Sequence, residues 1–166
     1  MAKFTIMQFR KIFATIFAVC LILFFAAGTL INLLPPTVER PQVLARFAEL
    51  IGEDAYAELT DAYDIKFVPG NPEDGEIIPA LHEIRIRDST DRRMLIALCH
   101  EWGHYVALRD DLAHDAGYLE LFRGHEPIYY GNYDMTATAY SDINEYCASY
   151  IGMWAFNGVP MPQGGD

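Results

Sequence analysis

The longest apolar stretch of the chain lies near its N-terminus, where no charged residue occurs between Lys11 and Glu39. Within it, positions 12 to 34 form a predominantly apolar run. As a helix this run would be about 34 Å long at about 1.5 Å per residue, enough to cross a hydrocarbon core of about 30 Å. Pro35 and Pro36 follow, and proline cannot continue a helix. The pattern therefore predicts a transmembrane anchor at 12–34.

A cleaved signal peptide is the alternative interpretation, with basic residues before position 12 and small residues at 26–28 as the cleavage site. The apolar run continues past that site to Leu34, which is more typical of an uncleaved anchor. Basic residues precede the run, whereas Glu39 and Arg40 nearly cancel after it. The positive-inside rule then places residues 1–11 in the cytoplasm. We expect a single-pass membrane protein whose remaining chain is extracytoplasmic.

After this run, the spacing of apolar residues changes from helical to alternating and back again. Residues 35–63 have a helical period interrupted near Gly52, which predicts a linker and scaffold of two short helices. Alternation at 65–68 and 84–87 predicts two strands. Further helices are predicted at about 91–109 and 142–156, with an irregular segment and one short helix between them. The predicted fold class is α+β: a transmembrane helix, a small domain at 64–158 and a flexible tail at 159–166.

The net charge of the chain after the apolar run limits the kinds of molecule that it could bind. Residues 39–166 hold 9 basic and 23 acidic side chains, a formal charge of −14. Such an acidic domain is unsuited to binding nucleic acid or to docking on anionic lipid. Cys99 and Cys147 are too few for a disulfide framework and do not settle the compartment.

The residues with the clearest chemistry are His100, Glu101 and His104, which form an H-E-x-x-H motif within the helix predicted at 91–109. Two histidines four positions apart lie on one face of a helix and can bind one zinc ion. Glu101 lies beside that face, where it can act as a general base. The alternative is an exposed polar helix. The apolar run at 94–99 argues against it, because a buried helix needs partners for such polar groups. Gly103 indicates a close approach of another backbone or ligand.

The third protein ligand remains open from the residues alone. Asp110 lies six positions after His104, but use of that position requires a chain reversal where Ala107 stands. Glu145 begins a capped helix that can hold it rigidly, although Glu145 could also serve only as the partner of Asp142 in a capping box. The other candidates lie in the irregular segment: His114, His125, Glu126 and Asp134. His82 is interpreted as an exposed strand end.

The motif, followed by Asn144 to Ala148, resembles the gluzincin metallopeptidases, and the order of elements over about 64–156 is similar to ImmA/IrrE-type and lethal-factor-type peptidase domains. The resemblance implies a zincin-like fold, a zinc cofactor held by His100, His104 and Glu145, and an alanine at 148 that lets two helices pack. In lethal-factor-type domains a catalytic tyrosine precedes the ligand glutamate by seven positions. Here that position is Thr138, so the resemblance assigns the role to Tyr140, or less favourably Tyr133. A packing role is the alternative for Tyr140.

Together these features predict a membrane-anchored zinc endopeptidase that cleaves a protein or peptide substrate, with Glu101 as general base. An extended peptide could add to the edge of the strand at 84–87. Arg85 and Arg87 could then favour acidic residues, although a solvated strand face is the preferred interpretation. The alternative function is a non-catalytic, membrane-anchored zinc-binding interaction module.

Overall fold

A computed structural model describes residues 36–158, together with Ile16 and Val19. The chain divides into two compact units, 1–36 and 37–166. Nearly all of the first unit and the predicted tail at 159–166 lie outside the described residues. The fold described below is that of the second unit.

The prediction of a transmembrane helix is corrected. Among the residues that the structure describes, no helix is both long and apolar enough to cross a bilayer. The longest of these helices has 19 residues and carries Arg92, Arg93, Glu101 and Arg109, charges that are costly inside a membrane. The predicted anchor at 12–34 falls outside the described residues except for Ile16 and Val19. The predicted extracytoplasmic location depended on that anchor and is corrected with it.

The described residues form an α+β domain of six helices and five strands, with short 3-10 turns at Pro79–Leu81 and Leu112–His114. The helices are α1 Pro41–Ile51, α2 Glu53–Ala62, α3 Asp91–Arg109, α4 Ala116–Gly124, α5 Thr136–Ala139 and α6 Ile143–Asn157. The strands are β1 Asp64–Val68, β2 Gly75–Ile78, β3 Glu83–Arg87, β4 Tyr129–Tyr130 and β5 Tyr133–Asp134. The break between α1 and α2 falls at Gly52, whose φ of 89° favours glycine.

The larger sheet has the strand order β1-β3-β2, so β3 is its central strand. It pairs in parallel with β1 and antiparallel with β2. The prediction that a substrate adds to the strand at 84–87 is therefore wrong, because both edges of β3 are already paired. Val38 bridges to Phe67 on the outer side of β1. Among the described strands none pairs with the outer side of β2, which leaves it as the free edge.

Helices α3 and α6 pack so closely that only very small residues fit between them. A Cβ atom at Gly103 would lie 2.1 Å from the Ala148 carbonyl oxygen, and one at Gly152 would lie 2.6 Å from the Cys99 carbonyl oxygen. These two contacts show that the helices run antiparallel, and they confirm the close approach predicted at Gly103. Both helices are buried along much of their length. The contact brings the H-E-x-x-H turn of α3 against the first turns of α6.

Candidate metal centre

The centre is built on the middle of α3, where His100 and His104 project from one face. Their Nε2 atoms are 3.1 Å apart. Both imidazoles are partly buried between α3 and α6. The two ring nitrogens therefore converge, as two ligands of one metal ion must.

Glu145 joins them from the first turn of α6. Its two carboxylate oxygens lie 3.3 Å from His100 Nε2 and 3.3 Å from His104 Nε2. The helix is capped by Asp142, whose side chain accepts hydrogen bonds from the backbone N–H groups of Asn144 and Glu145. Asp142 therefore satisfies the end of α6, and the Glu145 side chain contacts the two histidines instead.

The three donor groups fit a zinc ion. Ligand atoms about 2.0–2.1 Å from a tetrahedral ion are about 3.3 Å from one another, close to the separations of 3.1 and 3.3 Å observed here. Two imidazoles and one carboxylate also match the donor types that zinc prefers at catalytic sites. Among the described residues, this is the one group of three or more potential ligands that could hold a metal ion.

The electrostatics of the centre favour a cation. Hydrogen bonds from His100 and His104 hold the pKa of Glu145 well below its usual range. Burial acts to lower the pKa of His104, but its hydrogen bond to Glu145 and the nearby carboxylates outweigh this and raise it. Glu145 is therefore ionised at neutral pH and can donate a lone pair to a metal.

Ser149 supports His100 from behind and was not identified in the sequence. Its Oγ lies 3.3 Å from His100 Nδ1, and the residue is fully buried. When Nδ1 donates its proton to this oxygen, Nε2 keeps the lone pair that a metal ligand needs. Ser149 lies four positions after Glu145 on the same face of α6, a spacing that could have revealed it.

Glu101 is buried beside the two histidines. It contacts Gly75 at the start of β2, where a Cβ atom would lie 2.6 Å from Glu101 Oε1. Burial raises the pKa of Glu101, His100 and His104 oppose this effect, and the charges of Glu145 and Glu76 add to it. A carboxyl group whose pKa is shifted towards neutrality is suited to accept and return a proton.

A cleft of about 630 Å³ opens over these residues. One side is formed by β2 and the turn before it, and the other by the segment from β5 to α5. Beyond His100, Glu101, His104 and Glu145, the cleft is lined by Gly75, Glu76, Ile77, Arg93, Tyr133 and Thr138, among others. The centre is thus accessible to a ligand larger than water.

The structure does not bring Tyr140 to the cleft. Its ring stacks on His125 with the centroids 4.7 Å apart, and its hydroxyl donates a hydrogen bond to the Glu126 carbonyl oxygen. These contacts are those of the packing interpretation. Tyr133 lines the cleft and is 40% exposed, so it is the tyrosine placed near the candidate metal centre.

The other candidate ligands lie elsewhere. Asp110 pairs with Arg109, His114 pairs with Asp111 and is exposed, and Asp134 accepts a hydrogen bond from the Thr136 backbone. The ring nitrogens of the remaining two histidines contact backbone carbonyl oxygens: His125 contacts that of Arg123, and His82 that of Ala62. None of these side chains approaches His100 and His104.

No protein-family model, curated protein or solved structure matches this chain. The resemblance to gluzincins therefore rests on the residues and their geometry alone, and it remains a prediction.

Proposed function

We propose that the domain is a zinc-dependent endopeptidase. The observation that carries the proposal is the convergence of His100, His104 and Glu145 beside buried Glu101 at the floor of an open cleft. A structural zinc site is usually closed by four protein ligands, whereas a catalytic site has three and keeps one position open. Three donors facing a cleft favour the catalytic interpretation.

In this proposal His100, His104 and Glu145 hold the ion, and Ser149 fixes the ring orientation of His100. When bound, zinc would supply Lewis acidity that lowers the pKa of water to about 7 and polarises a carbonyl group. Glu101 accepts a proton from the attacking water and delivers it to the nitrogen of the leaving amine. Tyr133 is within the same cleft and can donate a hydrogen bond to the carbonyl oxygen as negative charge develops on it.

The substrate is an extended peptide that lies along the free edge of β2. An unpaired edge offers backbone N–H and C=O groups to a new strand. Gly75 and Ile77 of β2 line the cleft next to Glu101, so a peptide bound there passes over the proposed zinc ligands. Strand β3 offers no such edge, because it is paired on both sides.

The test is the substitution Glu101→Gln in the full chain. It removes the base and keeps a side chain of nearly the same shape, so we expect peptide hydrolysis to fall by about 10²- to 10⁴-fold with zinc content and melting temperature preserved. Glu120→Gln, an exposed carboxylate of α4, is the matched control. Hydrolysis of a peptide library would be followed by mass spectrometry.

The alternative of a non-catalytic zinc-binding module makes the opposite prediction. Zinc-loaded wild-type protein would then cleave nothing, or Glu101→Gln would cleave as well as wild type. Either result would overturn the proposed function.

A further inference from the structure

Glu76 occupies the free edge of the sheet on its charged face. In the strand register, Lys66 of β1 pairs with Arg85 of β3, and Arg85 pairs with Glu76 of β2. Residues directly opposite in neighbouring strands share one face of a sheet. These three side chains therefore form a row that ends at Glu76, on the side where a further strand would add.

The cations of this face are already paired with other carboxylates. Glu83 contacts Lys66 Nζ and forms a second ion pair with Arg85 at 2.8 Å. Asp74 pairs with Arg87 at 3.0 Å. Within residues 36–158, the Glu76 carboxylate has no ion pair or hydrogen bond. Glu76 is thus a carboxylate at a free sheet edge whose register partner, Arg85, forms its ion pair with Glu83.

Glu76 also lies close to the proposed reaction centre. It lines the cleft, and its neighbour Gly75 contacts Glu101. The cleft also holds Arg93, but that residue precedes His100 by seven positions, about 10 Å along α3. Arg93 therefore acts on a different part of a bound chain.

We propose that Glu76 selects peptides that carry lysine or arginine at the position opposite it when they add to the free edge of β2. This inference rests on the proposed function, because it assumes that substrate binds along this edge. A residue opposite Glu76 would point to the same face, with the two Cβ atoms about 4.5–5.5 Å apart. Opposite charges at that distance attract and like charges repel, so a lysine is favoured and a glutamate is disfavoured.

The experiment uses sets of peptides. Within a set, the peptides differ only in carrying lysine, glutamine or glutamate at one position, and each set varies a different position along the peptide. With the zinc-loaded full chain, we expect one position at which kcat/KM for lysine exceeds that for glutamate about tenfold. Glu76→Gln should remove most of this preference, and Glu76→Lys should reverse it. Glu120→Gln, which lies outside the cleft, should retain it. Circular dichroism and melting temperature establish that each variant is folded.

Peptide binding gives a second measurement that does not need turnover. Fluorescence anisotropy of the same labelled peptides with zinc-loaded Glu101→Gln protein should show the same ranking, lost in the Glu76→Gln, Glu101→Gln double variant. Cleavage without charge preference, or a preference that Glu76→Lys leaves unchanged, would overturn the inference and leave the proposed function standing. If the wild-type protein binds peptides with the predicted charge preference but does not cleave them, the proposed function is overturned and the charge preference of Glu76 stands. Neither binding nor cleavage of any peptide would overturn both.

Discussion

Among individual side chains, the two histidines of the H-E-x-x-H motif find their polar partners on the facing helix α6. Burying a polar or charged group without a partner costs several kcal/mol. His100 meets Ser149 on one side and Glu145 on the other, and His104 meets Glu145 as well. The carboxylate and the serine that satisfy these histidines are also what a zinc site requires. The candidate chemistry and the packing of α3 against α6 therefore depend on the same residues.

Ser149→Ala should weaken zinc binding about 10- to 100-fold, the usual effect of removing a partner that orients a metal-binding histidine. Without the hydroxyl, the His100 ring loses the contact that fixes its tautomer. Competition with a zinc indicator would measure the affinity. Ser141→Ala, a serine outside α6, is the control and should leave the affinity unchanged. Equal affinities for wild type and Ser149→Ala would rule out this role for the serine.

Tyr133→Phe should lower kcat with little change in KM, because the hydroxyl is proposed to act on charge that develops during the reaction. The reduction expected for one such donor is about 10²- to 10³-fold. Tyr140→Phe is the matched comparison, since its hydroxyl is bonded to the Glu126 carbonyl outside the cleft. Steady-state kinetics with one cleavable peptide would compare the two. A larger loss in Tyr140→Phe would return the role to that residue.

Individual site residues could be predicted where their positions depend on the local sequence pattern, and not where they depend on contacts between distant parts of the chain. His100 and His104 could be predicted because helical spacing alone places them on one face. Glu145 was one of several candidates from the residues alone, and the resemblance to gluzincins selected it. Tyr140 was preferred over Tyr133 from the resemblance alone, because the positions of both depend on how an irregular segment folds back on the domain. Ser149 was missed because its spacing of four positions from Glu145 becomes informative only once Glu145 is known to face α3.

The helices and strands also could be predicted only where the local sequence pattern determines them. The predicted helix bounds of α3 and α6 agree closely with the structure, because each has a long pattern and a defined end. Strand β2 was not predicted: it has four residues, begins with glycine and follows a turn. Its presence makes β3 central and moves the free edge to the side of the cleft. Pairing between strands is non-local, so no pattern within β3 could reveal this.

Gly103→Ala should destabilise the domain by about 1–3 kcal/mol, the usual cost of overpacking a core. The new methyl group would collide with the Ala148 carbonyl, which is backbone and cannot move aside alone. The two helices must separate, so zinc affinity should fall together with stability. Gly124→Ala in α4 is the matched control, since a Cβ there meets nothing within 4 Å. Chemical denaturation would measure the free energy of unfolding of both variants. A Gly103→Ala variant as stable as wild type would contradict the packing argument.

For the domain as a unit, the candidate zinc site is the polar junction between two distant parts of the chain. It ties α3, which follows the sheet directly in sequence, to α6 at the end of the described chain. Cys99 and Cys147 are buried and unpaired with each other, so no disulfide performs this function within the described residues. Burial raises the pKa of Cys147 to about 12, which keeps its thiol protonated and unreactive. In the proposed function, a zinc ion held by His100, His104 and Glu145 would be the cross-link between the two helices.

It follows that zinc should stabilise the full chain against unfolding. A ligand that binds only the folded state contributes about 4 kcal/mol at a free concentration 1,000 times its Kd, which for a domain of this size raises the melting temperature by roughly 10–20 °C. Glu145→Gln should abolish most of that increase, because glutamine keeps nearly the same shape but loses the charged ligand, while Asp142 still caps the helix. Asp110→Asn, which changes a carboxylate paired with Arg109, should retain it. Melting curves with zinc and with a chelator provide the comparison, together with metal analysis expected to give about one zinc per chain. A metal-induced increase that survives in Glu145→Gln but disappears in Asp110→Asn would assign the third ligand to Asp110, and the helix pair would then have to be held together by packing alone.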